Sequence, residues 1–64
     1  MELSALIEER AAAALLGVVR QTLAQWRRRG VGPPYVRISV RCVRYRPEDL
    51  AVWIAARVST EAVF

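Results

Sequence analysis

Arginine supplies every cation of this 64-residue chain, and the ten arginines are unevenly placed. Eight of them lie between residues 20 and 46, a segment without acids that carries +8; two arginines and six acids leave the other 37 residues at −4. A guanidinium binds phosphate or a guanine edge through two parallel hydrogen bonds, which an ammonium cannot do. The segment therefore predicts a polyanion-binding surface, provided that the fold gathers it on one side. A GC-rich genome would explain the absence of lysine equally well, but it does not explain the clustering.

The other reactive residues are too few for metal or nucleophilic chemistry. The chain has no histidine and a single cysteine, Cys42, so one copy can assemble neither a structural zinc site nor an internal disulfide. Cys42 has no histidine to activate it and is interpreted as a small core residue. Tyr35 and Tyr45 are interpreted as core or hairpin residues for the same reason. We predict no catalytic residue, no metal and no cofactor, since a chain this short also has little room for a deep substrate pocket.

The sequence shows neither a membrane span nor an export signal. Its longest apolar run, residues 11–19, has nine residues and is too short to cross a bilayer. The N-terminal Met-Glu-Leu-Ser lacks the basic region of a signal peptide. We expect one domain over residues 1–64, located in the cytoplasm.

Helices must position the arginine segment, and the first predicted helix precedes it. Good helix formers extend from about Ser4, which suits an N-cap, to Leu16. A start near Glu8 fits the pattern equally well, and Gly17 is expected to end the helix in a left-handed conformation. The predicted buried stripe consists of Ile7, Ala11, Ala14 and Leu15.

The second predicted helix starts after Val18, reaches about Arg29 and is ended by Gly30. Its apolar side is predicted to contain Val19, Thr22, Leu23 and Trp26. Its polar side is predicted to contain Arg20, Gln21, Ala24, Gln25 and Arg28. That side has no acid, unlike a merely solvated surface, where both signs of charge are normally interspersed.

A β-hairpin is predicted after the break at residues 30–34, which contain two glycines and two prolines. Residues 35–38 and 42–46 alternate apolar and basic side chains with period two, and residues 39–41 would form the tip. The side chains expected to face the core are Val36, Ile38, Val43 and Tyr45. Those expected to point outward are Arg37, Arg44 and Arg46, with Arg41 at the tip.

A third helix is predicted to begin at Pro47, because proline suits the first helical position and the acids Glu48 and Asp49 suit the positive end of the dipole. Its packing residues are predicted to be Leu50, Trp53, Ile54 and Arg57. The tail, residues 57–64, carries weak signals and is expected to fray.

The order of these elements predicts a mostly α fold with a small β-hairpin: a winged helix-turn-helix with three helices and a two-stranded wing. In that arrangement the second helix enters the major groove of DNA. The side chains expected to read base edges are Arg20, Gln21 and Gln25. The side chains expected to contact phosphates are Arg27, Arg28 and Arg29. Arg41, at the wing tip, would reach phosphates or a narrow minor groove.

Residues 7–57 resemble the small MerR-like winged helix-turn-helix proteins, which include phage and mobile-element excisionases and AlpA-type regulators. Four blocks carry the resemblance: AAALLGV at 12–18, TLAQWR at 22–27, GVGPPY at 30–35, and VRYRPEDL with Trp53-Ile54 at 43–54. The order and spacing of the four blocks make it specific. One departure is Val19, where many members have a serine cap; its loss costs on the order of 1 kcal/mol, which burial of Val19 would partly offset. Another is Arg10 or Ala11 in place of an acid.

The resemblance implies that Arg20, Gln21 and Gln25 are recognition residues, and that Arg37, Arg41 and Arg44 belong to the wing. It implies core positions for Tyr45, Leu50 and Trp53. It further implies a recombination directionality factor on the bacterial nucleoid that binds double-stranded DNA at repeated sites, cooperatively with other copies of itself. Such a factor bends the DNA and directs a partner integrase. From the residues alone, 58–64 are expected to supply the contact with a neighbouring copy or with the integrase. The alternatives are a small AlpA-like transcriptional regulator without an effector domain, and a module that binds RNA or an acidic protein.

Overall fold

The computed structural model describes residues 5–59. The elements in chain order are β1 (Ile7–Glu8), α1 (Glu9–Leu16), α2 (Arg20–Arg28), β2 (Val36–Ser39), β3 (Cys42–Tyr45) and α3 (Pro47–Ala55). The three strands form an antiparallel sheet in the order β1-β3-β2. Three helices with a β-hairpin wing confirm the predicted winged helix-turn-helix, and the sheet has one strand more than predicted.

The extra strand comes from residues that were predicted to be helical. Ile7 lies opposite Tyr45 and Glu8 opposite Arg44, so α1 begins only at Glu9. The predicted start near Glu8 is confirmed and the start at Ser4 is wrong; Ser4 itself lies outside the described residues. Glu8 is the N-cap, with an extended backbone and no side-chain capping bond. A two-residue strand has no periodicity of its own, and its pairing partner is distant in the chain.

The core consists of small helix residues packed around three larger side chains. Its buried members are Ala12, Ala13, Leu23, Tyr45 and Leu50. The predicted stripe on α1 is wrong in phase: Ala11 and Ala14 are exposed, and Leu15 is 64% exposed. A run of four alanines gives no contrast in side-chain size, so the sequence does not show which side of α1 faces α2 and β3. Ile7 packs against the core as predicted, but from β1.

The turn between α1 and α2 forms as predicted. Gly17 ends α1 with φ 76°, and its N–H bonds to the carbonyls of Ala13 and Ala14. Val19 is the N-cap of α2 and makes no side-chain capping bond. Val19 is 66% exposed, so burial does not offset the missing cap, and its predicted place on the apolar side is wrong. Ala24 lies on the polar side of α2 as predicted, but it is only 4% exposed, because it sits among the long polar side chains of that side.

The loop after α2 is pressed against Trp26. Gly32 has φ 89°, and a Cβ built there would lie 3.0 Å from Trp26 Cβ, so only glycine fits this approach. The hairpin that follows confirms the predicted strands to within one residue. Ile38, expected in the core, is 57% exposed; it lies at the register shift between Arg37 and Ser39, where the strict alternation that the prediction assumed is interrupted.

Helix α3 begins at Pro47, as predicted, and closes the core with Leu50. Trp53 packs against Trp26 with the ring centroids 5.8 Å apart. Arg57 is exposed, and its guanidinium lies 3.8 Å from the centroid of the Trp53 ring. The predicted packing of Leu50 and Trp53 is therefore confirmed. Ile54 lies mostly at the surface, and Arg57 covers Trp53 from outside. Residues 60–64 of the predicted frayed tail lie outside the described residues.

Candidate nucleic-acid interface

The exposed face of α2 brings together most of the predicted recognition residues. Four polar side chains surround a shallow depression whose floor is Ala24; they are Arg20, Gln21, Gln25 and Arg28. They lie on one side because 3.6 residues per turn aligns positions three, four and seven apart. Arg29 is also exposed, at the end of the helix. The α2 face, as we call these four residues with Ala24, presents guanidinium and amide groups and no carboxylate.

Arg27 does not belong to the α2 face. Its Nε donates to Glu9 Oε2 at 2.8 Å and its Nη2 to Glu9 Oε1 at 3.4 Å. The Tyr45 hydroxyl donates to the same Oε2 at 3.0 Å. The side chains of Arg27 and Glu9 are only 15% and 12% exposed. Because this guanidinium already has a partner inside the fold, Arg27 is not available for the phosphate contact that the sequence predicts. The three residues, the Glu9 network, tie α2, α1 and β3 together.

The Glu9 network holds fixed protonation states. Burial acts to raise the pKa of Glu9, but the hydrogen bonds from Arg27 and Tyr45 outweigh it and hold the pKa below its ordinary value. The hydrogen bond to Glu9 raises the pKa of Arg27. Burial, and then the bond to Glu9, raises the pKa of Tyr45. At neutral pH the network is therefore a carboxylate, a guanidinium and a neutral phenol.

The wing presents its arginines at and beside the hairpin tip. Arg41 is exposed in the turn between β2 and β3. Arg37 is exposed on β2 and donates from Nη1 to the carbonyl of Val40 at 3.2 Å. Arg44 is half-buried on β3, and its Nη1 donates to the carbonyl of Val43 at 2.9 Å. The three predicted wing arginines thus all lie on the hairpin, and Arg44 is the least exposed.

A cleft lies between the wing, the start of α1 and the start of α2. Four arginines line it together with the Glu9–Arg27 pair, Glu8, Val40 and Val43: Arg10, Arg20, Arg41 and Arg44. We call it the arginine cleft. Arg20 lines both this cleft and the α2 face. Arg10 was not predicted as a site residue, because it lies outside the acid-free segment; the only signal was its departure from the acidic residue common in the similar family.

Other kinds of site have little support in the part of the chain that is described. Within residues 5–59 no group of three or more His, Cys, Asp or Glu side chains could hold a metal ion. Cys42 is a free, half-buried thiol. The longest described helices have nine residues, and none is long and apolar enough to cross a membrane. Residues 5–59 thus present two arginine-lined features, the α2 face and the arginine cleft.

Comparison with known proteins gives one result. A family model described as helix-turn-helix domain matches residues 2–58. No curated protein and no solved structure matches the chain. The match covers α1, the Gly17 turn, α2, the wing and α3, which are the elements that build the α2 face and the arginine cleft. The chain therefore belongs to the helix-turn-helix domain family and is a DNA-binding domain of that kind.

Proposed function

We propose that this protein is an excisionase, a recombination directionality factor that binds repeated DNA sites cooperatively, bends the DNA and directs a partner integrase toward excision. The observation that carries the DNA-binding part is the acid-free α2 face beside a basic wing. The resemblance of four sequence blocks to small MerR-like excisionases supports the recombination role. An AlpA-like transcriptional regulator would use the same surface and is the alternative outcome of the test below.

In the proposed complex α2 lies in the major groove. Gln21 and Gln25 project from the exposed side of the helix and present amide groups, which match the donor and acceptor of an adenine edge. Arg20, in the first turn, would reach a guanine edge or a phosphate. Arg28 and Arg29, at the other end of α2, would contact phosphates. The wing tip with Arg41 would follow the adjacent backbone or minor groove.

Several copies are needed for useful specificity. A DNA-binding module of this size buries roughly 600–1,000 Å² and reads few base pairs. The nine residues of α2 span only about two and a half turns. Adjacent copies on repeated sites would multiply the discrimination, and their combined wings would favour bent DNA. This reasoning supports cooperative binding by monomers that assemble on the DNA.

The test is selection of bound duplexes from a random DNA library, followed by sequencing. We expect a short motif, recurring as direct repeats at helical-turn spacing. The Gln21→Ala variant should lose about 1–3 kcal/mol of discrimination at one base position, while Arg57→Ala, which changes an arginine away from the α2 face and the wing, should keep the preference. Absence of any enriched sequence would overturn the proposal.

A second arm separates recombination from transcription. The selected motif is placed beside an attachment site and, separately, beside a promoter. Excision that requires both this protein and an integrase supports the excisionase. Altered transcription without an integrase, and no effect on excision, would favour the regulator.

A further inference from the structure

We infer that the arginine cleft binds a phosphodiester group of the DNA strand that passes between α2 and the wing. This inference rests on the proposed DNA binding and makes it more specific, because it assigns a ligand to Arg10 and moves Arg20 from base reading to phosphate binding. The cleft is lined from three elements and one turn: Arg10 on α1, Arg20 on α2, Arg44 on β3 and Arg41 in the hairpin turn.

The charge of the cleft is unbalanced in a way that an anion would correct. Glu9 lines the cleft but is paired with Arg27, and Arg20 lies close enough to help lower the pKa of Glu9. Among residues 5–59 none of the four cleft arginines forms an ion pair. Five arginines against two glutamates leave the lining at +3. Like charges held together in a cleft repel one another, and a bound anion relieves that repulsion.

Arg10 and Arg20 also occupy helix positions that stability alone would disfavour. Arg10 is the second residue of α1 and Arg20 is the first of α2. A cation in the first turn opposes the helix dipole by about 0.3–1 kcal/mol. Neither helix has a side-chain capping bond, at Glu8 or at Val19, so the amides of both first turns lack that partner. A phosphate at the cleft would interact favourably with both helix N-termini and so offset the cost of the two arginines.

The place of the cleft matches the path of one DNA strand. The major and minor grooves are separated by a phosphate backbone, so a protein with a helix in one groove and a wing at the next must pass a strand between them. The arginine cleft lies at that point, since it is bounded by the first residue of α2 and by the hairpin tip. Arg20 borders both the cleft and the α2 face, and therefore marks where the strand leaves the major groove.

The lining favours a phosphate over a nucleotide with its base. No aromatic side chain lines the cleft; its apolar members are Val40 and Val43. A nucleobase held out of the helix normally stacks on an aromatic ring or is enclosed by apolar groups. Four arginine side chains around one cleft instead suit the oxygens of a phosphodiester.

The experiment neutralises the DNA one phosphate at a time. Duplexes that carry the selected motif receive single methylphosphonate substitutions, and affinity is measured for the wild type, Arg10→Gln and Arg57→Gln. We expect one or two neighbouring phosphates, on the strand between the base-read positions and the wing contact, whose neutralisation weakens wild-type binding about tenfold. The same neutralisation should have little further effect on Arg10→Gln. In Arg57→Gln, the matched control outside the cleft, the full tenfold loss should remain.

The outcomes separate the cleft from the proposed function. If every methylphosphonate weakens Arg10→Gln as much as the wild type, the cleft assignment is overturned although specific DNA binding stands. If no motif is selected, the proposed function fails, but the cleft assignment can still be tested on an arbitrary duplex. There, Arg10→Gln should lower the slope of log affinity against log salt concentration by about one. An unchanged slope would overturn the cleft assignment. Saturable binding of inorganic phosphate at Arg10 and Arg20, without any methylphosphonate effect on DNA binding, would overturn the assignment of a DNA phosphate. The ligand of the cleft would then be a free anion.

Discussion

Arg27 and Arg28 are neighbours in the sequence but belong to two different regions of the molecule. Arg27 lies in the Glu9 network, where a carboxylate accepts its hydrogen bonds. Arg28 lies on the α2 face, exposed and without an ion pair among residues 5–59. Successive residues of a helix are about 100° apart, so one step along the chain exchanges the inside for the outside. The comparison teaches that helical phase, and not the density of arginine, decides which arginines hold the fold and which are available to DNA.

Removing each guanidinium in turn should have the largest effect on stability. Arg27→Met leaves Glu9 without its charged partner and should lower the free energy of unfolding by about 2–3 kcal/mol. In a domain of this size, that is a fall in Tm of roughly 10–20 °C. Arg28→Met should change the free energy of unfolding by less than about 0.5 kcal/mol. Urea and thermal unfolding followed by circular dichroism measure both, and equal losses in the two variants would contradict the division.

For DNA binding the order of the two arginines is reversed: Arg28 should matter and Arg27 should not. Arg28→Ala should weaken binding to all duplexes alike and lower the salt slope by about one, because a phosphate contact releases about one counterion. Arg27→Met, measured at a temperature where it remains folded, should keep the wild-type salt slope. Titrations at several salt concentrations give the slopes. A lowered slope for Arg27→Met would place its guanidinium at the DNA after all.

The third prediction tests one hydrogen bond of the Glu9 network by removing a single oxygen. Tyr45→Phe keeps the buried ring but deletes the hydroxyl that donates to Glu9, which should cost about 1 kcal/mol of unfolding free energy. Tyr35→Phe is the matched control, since the Tyr35 hydroxyl makes no hydrogen bond to a side chain within residues 5–59. The two variants are compared by urea unfolding at neutral pH. A loss that is equal in both would show that the bond to Glu9 contributes nothing.

The smallest expected effect is a pH dependence of the free energy of unfolding. The pKa of Glu9 is lower in the folded chain than its unfolded value of about 4.3. Its contribution to stability is therefore complete above that value and is lost as the pH falls through the folded pKa. Glu9→Gln should be less stable than the wild type at pH 7, and the difference should shrink below about pH 4. Urea unfolding across this range tests it; a difference that does not change with pH would contradict the prediction.

The sequence predicted the parts of the fold that have local signals. Gly17, Gly30 and Pro47 mark chain reversals or helix starts, and the alternation around residues 35–46 marks the hairpin. The phase of α1 was missed because alanines alone carry no contrast. Strand β1 and the Glu9–Arg27 pair were missed because each depends on a partner far along the chain: 18 residues separate Glu9 from Arg27. Local patterns contain no information about such pairings.

The candidate site also has one part that local sequence patterns predict and one part that they do not. The polar side of α2 follows from helical periodicity, and the structure exposes Arg20, Gln21, Gln25 and Arg28 together. Arg10 joins the cleft only because β1 and the start of α1 pack beside the hairpin. That contact is tertiary, and no charge count along the sequence reveals it. Whether these side chains touch DNA remains a prediction for the selection experiment.

Strand β1 has a consequence for the order of events during synthesis. Its two residues pair with Tyr45 and Arg44. During synthesis β1 therefore has no pairing partner until β3 has left the ribosome. Contacts between such distant residues also slow folding, since the loop entropy must be lost before the pairing forms. The nascent chain thus exposes its arginines without the cleft that organises them. A chain stalled before β3 therefore carries its arginines without the sheet that lines the cleft, as a plain polycation.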